Sequence, residues 1–483
     1  DPKVVRVRRA SDNGERDFTS SEITSGEMVN WVNRQVIAPL DIQALEADGR
    51  TGDFLIAKAA YSLRSLGTRQ ATLAATGDTV ARADGKFVVQ VRRSSDDALK
   101  SFTADEVTDG TLLSFVTDAQ VGWNVQPTFS NDSGTGSVTS QSSTATTATV
   151  AFTGDADLIR QTSKPNHVLG SSGDQVIFNI SVSGLDSAGT LRLRTSGTNT
   201  TVGSSAVSNG DNQDITLNLT GSAGYLAMTF AASSGGTITF NSIKVLPKTG
   251  FVKTWYDQSV TNEAGDTATG NHATQATAAS QPKIVDAGSF LNELDFDGTD
   301  DNFELTSVLG MTSAGAIFSV AESGGGDDKF ILDNRDSGSD GFRLLRYNNQ
   351  LQYFWQSATV ATSTNPGSNT KFIGFANHDG SNASVAINGA TATTTSDTSS
   401  ISVAAKPHIG ARSFSSASNF WDGTMNELII YNTDQADNRT AIEANIGEAY
   451  SIDLPSGVDP GFDQVDGFVE TWYDQSGNSN DVT

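Results

Sequence analysis

The sequence predicts an all-β chain of tandem antiparallel β-sandwiches with a few short helices, and three observations carry that reading. Glycine supplies 46 of the 483 residues, and long Ser/Thr runs separate short apolar stretches, which suits many short strands joined by turns. Many of those stretches alternate: Val89 and Val91 fall on one side and Gln90 and Arg92 on the other, the two-residue period of a half-buried strand. The length exceeds the roughly 250 to 300 residues at which a single core stops growing, so the chain holds more than one domain.

Two repeats set the order of the elements. VVRVRRASDNGERDFTSSEITSGEMVNWVN, from Val4, aligns without gaps onto VVQVRRSSDDALKSFTADEVTDGTLLSFVT, from Val88, and is termed element A. GFVKTWYDQS, from Gly250, returns from Gly467 with only Lys253 and Glu470 differing, and is termed element B. The order A, A, B, B describes one domain flanked by two halves. The expected division is a leading partial jelly-roll repeat at 1–50, the first part of a jelly roll at 51–120, an inserted sandwich at 121–247, a jelly roll at 248–454 and a trailing partial repeat at 455–483. The leading A can close on the trailing B of the same chain, on a neighbouring copy head to tail, or on sequence beyond this chain.

Between the copies of A, residues 54–66 place Leu55, Ala59, Leu63 and Leu66 at helical spacing among good helix formers, which predicts a short helix. Within A, FTADEVTDGTLLSFV reads as a capped turn of helix. The runs TATVAF, QVIFNISVSG, TLRLRTSG, DITLNLTG, YLAMTF and TITFNSIKVL then predict a separate sandwich inside a loop, an insertion whose closure entropy grows only logarithmically with length. After the first B, ELDFDG, AIFSVAES, KFILDN, FRLLRYNNQLQYFWQS, KFIGFANHDG, ASVAINGA, KPHIGAR and NELIIYN predict a second sandwich. Asn388-Gly389, Asp379-Gly380 and Asn348-Asn349 supply its hairpin turns, and Ile442 and Ile446 mark a closing helix before Leu454-Pro455.

Composition removes several functions. There is no cysteine, and the histidines His167, His272, His378 and His408 are not spaced as pairs, which argues against thiol chemistry and a His/Cys zinc site. Acidic residues outnumber basic ones 56 to 31, a formal charge of -25 that repels nucleic acid and anionic membranes. No stretch reaches the roughly 20 apolar residues of a membrane span, so no membrane insertion is expected, and DPKVVRVRRA lacks the apolar core of a signal peptide.

The candidate site residues each carry two readings. Trp255, Tyr256 and Asp257, echoed by Trp472, Tyr473 and Asp474, could hold a sugar beside a catalytic carboxylate; buried rings and a turn-capping Asp are the favoured account. Arg92 and Arg93, echoed by Arg8 and Arg9, are expected in an internal ion pair, with Asp257 as a partner, rather than on an anionic ligand. Asp297, Asp300 and Asp301 in DFDGTDDNF offer an oxygen cage for calcium, and turn chemistry explains them equally well. Asp297, Asp301 and Glu427 are the carboxylates available for glycoside hydrolysis, which requires a pair roughly 5 to 9 Å apart. Tyr347, Tyr353, Phe354, Trp355 and Trp421 could form a sugar-stacking platform, with Tyr353, Trp355 and Trp421 the leading candidates. Alternation puts Tyr353 and Trp355 on one face, where core packing competes.

The closing stretch WDGTMNELIIYNTDQADNRTAIEANIGEAY, preceded by HIGAR, resembles the end of laminin-G-like, concanavalin A-type jelly rolls across residues 250–452. The series AAYSLRSL, VVQVRRSSDD, TWYDQS, GNHAT and QPKIV is similar to the catalytic jelly roll of arabinofuranosidase B and, more closely, to lectin-like modules in virion proteins of marine bacteriophages. The segment ending TITFNSIKVLP resembles carbohydrate-binding sandwich modules. These resemblances imply a non-catalytic tail-fibre, head-fibre or decoration protein on a virion surface. Its partners would be host surface glycans, other virion proteins and copies of itself. The alternative they imply is a secreted polysaccharide hydrolase with an inserted carbohydrate-binding module, although arabinofuranosidase B proteins use cysteines in the catalytic domain and this chain has none.

Overall fold

The computed structural model describes residues 2–9, 15–24, 28, 57–66, 87–123, 128–133, 136–160, 170–195, 200–259, 270–335, 340–356, 358–362, 366–402, 405–413, 416–455, 467–475 and 482. These residues are predominantly antiparallel β with short helices, the class that the alternating runs predict. They divide into two compact units: Asp1–Val88, Trp255–Thr274 and Phe296–Thr483 form one, Val89–Thr254 and Gln275–Asp295 the other. No described helix is long and apolar enough to cross a membrane.

In the first unit, one antiparallel run has the order Thr393–Ser396, Asn382–Ile387, Lys371–His378, Gly315–Ser323, Asp422–Tyr431 and Ala59–Ser62. A second has the order Ala358–Ala361, Gln350–Trp355, Phe342–Tyr347, Lys329–Asp333, His408–Ile409, Phe303–Leu305 and Ala273–Thr274. Phe318, Ile373, Phe375 and Ile429 of the first run bury one face against Ile442 and Ile446 of the helix Arg439–Tyr450, the two isoleucines whose spacing announces that helix. Trp355 of the second run stacks on His378 of the first at 4.3 Å between ring centroids. Asn388 and Gly389, and Asn348 and Asn349, all take positive φ, as tight hairpin turns demand.

Residues 54–66 correct the expected helix. Ala59–Ser62 is a strand, paired from Ala59 with Ile430 to Ser62 with Glu427, and all four of its residues are buried. Helix propensities differ by only tenths of a kcal/mol per residue, less than completing a buried sheet edge returns. Residues 54–56 lie outside the described residues.

The second unit contains a sheet of order Thr201–Val207, Gly189–Arg194, Tyr225–Leu246, Gln175–Ser183 and Gly210–Asn218. The long strand Tyr225–Leu246 also pairs with Ala148–Arg160, its register shifting between Ala232 and Gly236. Alternate residues Val176, Phe178, Ile180 and Val182 point into a core with Trp123, Phe152 and Phe240.

The two copies of element A fold alike. Leu99–Thr103 leads into a helical turn capped by Thr103 and Glu106: the Glu106 amide donates to the Thr103 hydroxyl at 3.3 Å and the Thr103 amide to the Glu106 carboxylate at 3.0 Å. In the leading copy, Glu15–Thr19 precedes the same box on Thr19 and Glu22, at 3.2 and 2.7 Å. Lys100 lies 4.8 Å over Phe102, and Arg16 lies 4.9 Å over Phe18. The remainder of the leading element, residues 25–27 and 29–33, is outside the described residues.

Element B closes on A in the same way twice. The Tyr256 amide donates to the Val88 carbonyl at 2.9 Å, and the Tyr473 amide to the Val4 carbonyl at 3.0 Å. Arg92 sits 4.6 Å over Phe251, and Arg8 sits 5.0 Å over Phe468. Lys3–Arg9 is thus flanked by Glu15–Thr19 and Gly467–Trp472 in an antiparallel three-stranded sheet, and the leading A meets the trailing B of its own chain.

Candidate functional site

The TWYDQS residues of the internal copy are architectural. Trp255 is fully buried, with Tyr61 and Phe303 at centroid distances of 5.6 and 6.4 Å. The Asp257 carboxylate, also fully buried, accepts from the amides of Ala60, Ser259 and Asn271, each at 2.9 Å. Asp257 is therefore not the partner of the arginines. Arg92 pairs with Asp97 at 2.8 Å and donates to Gln281, and Arg93 pairs with Asp96 at 2.8 Å. Short-range carboxylates inside the same turn meet the guanidiniums first. The side chain of Arg9 lies outside the described residues.

The aromatic platform also needs correction. Tyr353, Trp355 and Trp421 have no exposed surface, so none of them presents a ring face to a sugar. Alternation does place Tyr353 and Trp355 together, on the side of the strand that enters the core, where Phe342 stacks on Trp355 at 6.2 Å. Their neighbour Phe354 points the other way.

That opposite face carries a polar row. Directly paired residues share a face, and the pairing runs from Phe354 to Arg343, to Asp333, to His408 and to Glu304. Arg343 lies 3.8 Å over the Phe354 ring, and both side chains are half-buried. Asp333 is fully buried and held by the Arg335 side chain through three contacts, at 2.9, 3.2 and 2.7 Å, and by the Ser413 amide at 3.2 Å. Burial, and then the like charges of Arg335 and Arg412, push Arg343 down to about 10, against the opposing pull of Asp333 and Asp328. The guanidinium remains charged near neutrality. Burial likewise lowers His408, although Glu304 and Asp333 favour its charged form. Tyr347, 41% exposed, lies on the same face as Arg343, about 13 Å further along the strand. A flat cation on an aromatic ring, with further guanidiniums beside it, can take up a carboxylate or sulfate. Phe354 and Tyr347 stand out in the sequence and Arg343 does not; the signal that could have found it is its position opposite Phe354 across the Asn348-Asn349 turn.

Among the remaining acidic candidates, Asp297, Asp301 and Glu427 accept hydrogen bonds of their own. Asp297, Asp300 and Asp301 do gather, with one carboxylate oxygen of each within 4.8 Å of the others. The Asp297 side chain accepts from the amides of Thr299 and Asp300, and Asp301 from the amide of Asp297, the bonds of a turn. Glu427 is buried, gripped by Arg64 at 2.7 and 2.9 Å and by the Tyr450 hydroxyl at 3.0 Å.

No family model and no curated protein matches the chain. Among solved structures it is similar to the CBM40 of the Ruminococcus gnavus IT-sialidase bound to α2,3-sialyllactose, with 12% identity, 32% of this chain and 94% of that one covered, and a TM-score of 0.27. A second is domain 4 of a GH43 extracellular arabinanase from Geobacillus stearothermophilus in complex with arabinotriose, with 12% identity, 36% and 79% coverage and a TM-score of 0.26. A third is a putative carbohydrate binding protein from Bacteroides ovatus, with 11% identity, 62% and 79% coverage and a TM-score of 0.27. At these scores none of them bears on what this chain binds.

Proposed function

We propose that the chain is a non-catalytic glycan-binding protein of a virion surface, and that its ligand is an acidic glycan. The observation that supports this reading is the half-buried Arg343 guanidinium laid over Phe354, beside Arg335 and Arg412. In a chain of formal charge -25, a polyanion meets long-range repulsion, so its recognition depends on a local cation cluster of this kind. Arginine matches the planar geometry of a carboxylate or sulfate with paired donors. The virion setting rests on the order of the sequence motifs and their duplication. Tethered as they are, Asp257 and Glu427 offer no free carboxylate for the hydrolase alternative.

Calorimetric titration of the full chain with uronate, sulfated and neutral oligosaccharides tests the ligand. Binding of an acidic oligosaccharide is expected to weaken at least about tenfold in Arg343→Ala, the loss of one charge-assisted pair. Equal affinity for neutral sugars, or no effect of the substitution, would sink the reading. Mass spectrometry of purified phage particles tests the setting.

A further inference from the structure

We propose that the strand pair of Lys3–Arg9 and Gly467–Trp472 is a seat for a further jelly-roll body of the kind that the two antiparallel runs of the first unit form. The internal copy shows what such a seat holds. There the body's Tyr61 and Phe303 cover Trp255. Asp257 ties down the Ala60 and Asn271 amides, and Gln258 donates to the carbonyls of Ser62 and Arg64 and accepts from the Leu66 amide.

The terminal copy repeats these residues as Trp472, Tyr473, Asp474 and Gln475 and repeats the tyrosine amide bond to element A. Its face is open. Trp472 is 67% exposed and Val469 59%, whereas their counterparts Trp255 and Val252 are at 0%. Val482, paired with Trp472 and 70% exposed, extends the same face, so that three of the eight large apolar side chains exposed among the described residues lie there, while Phe468 turns to the opposite face under Arg8. Scattered apolar residues are ordinary on a surface, but a contiguous group marks a place of contact.

The choice of occupant follows from which residues recur. A general sticky surface needs only the apolar side chains. This one also carries Asp474 and Gln475, counterparts of the carboxylate and amide that in the internal copy hold another strand's backbone, with Gln475 here donating to the Lys3 and Tyr473 carbonyls at 3.0 and 3.1 Å. A second copy of this chain is a poor occupant, because its own body already sits on Trp255.

The test extends the full chain, with residues 57–66 linked ahead of Asp1 and residues 259–455 joined after Gln475. Trp472 is followed by 5-fluorotryptophan NMR, its resonance identified by its loss in Trp472→Phe. The solvent-isotope shift of Trp472 is expected to fall to that of Trp255, and the added body to resist protease as long as the resident one. In the extended chain Asp474→Ala is expected to shorten the lifetime of the added body at least tenfold and that of the resident body, which Asp257 holds, by far less. An added body digested as unfolded chain, or one that folds with Trp472 still exposed, overturns the proposal. So does a stable dimer of the original chain that shields Trp472.

Discussion

The internal and terminal copies of the A and B elements share sequence, capping box, cation-π contacts and the tyrosine amide bond, yet differ wholly in what lies over their tryptophan. Trp255 has no exposed surface and Trp472 is 67% exposed. The local sequence therefore determines how A meets B, while burial is decided by whatever else packs on the pair. The polar contacts also differ in kind. Where the terminal copy has Arg6 on Asp17 at 2.7 Å, the internal copy has the neutral Gln90 and Ser101 at 3.4 Å.

The largest effect that would sharpen this contrast is expected at Asp257. Asp257→Ala leaves the buried amides of Ala60 and Asn271 and the half-buried amide of Ser259 without an acceptor and should destabilise the first unit by about 4 kcal/mol, read as a lower denaturation midpoint. Next, Trp255→Ala should cost about 3–5 kcal/mol, whereas Trp472→Ala should stay within about 0.5 kcal/mol. Equal costs in the same denaturant titration would erase the distinction between the copies. Thr103→Ala and Thr19→Ala should each cost about 1 kcal/mol, since both remove a cap of one design. A twofold difference in these costs would show that the cap depends on its surroundings.

The smallest effect concerns acid. The hydrogen bond from Arg6, with help from the Tyr473 hydroxyl, holds Asp17 below its usual value. The folded terminal pair thus gains support above the unfolded carboxylate value of about 3.9 and loses it as the pH falls further. Its internal counterparts do not titrate there. Amide exchange at Tyr473 should accelerate relative to Tyr256 between about pH 4 and pH 2, and parallel acceleration would contradict the assignment.

The all-β class, the turns at Asn348 and Asn388, the capping box and the closing helix were legible because each depends on residues near in sequence. The strand Ala59–Ser62 was not, because its partner, Asp422–Tyr431, lies near the other end of the chain. The alternation that correctly grouped Tyr353 with Trp355 could not say which side faced the core. For the same reason Arg343, on the outward side, passed unnoticed, and Asp257 was assigned to an arginine rather than to three amides. Local pattern gives a face; only the fold gives its direction.

The antiparallel pairing of Lys3–Arg9 with Gly467–Trp472 also has a mechanical consequence. Val5 lies opposite Trp472 and Arg9 opposite Gly467, so tension drawn across Lys3 and Trp472 opens the pair from one end, a bond at a time. Until that clasp has unzipped, the load bypasses all of the chain looped between the two strands, and a pulled chain yields first at its least costly joint.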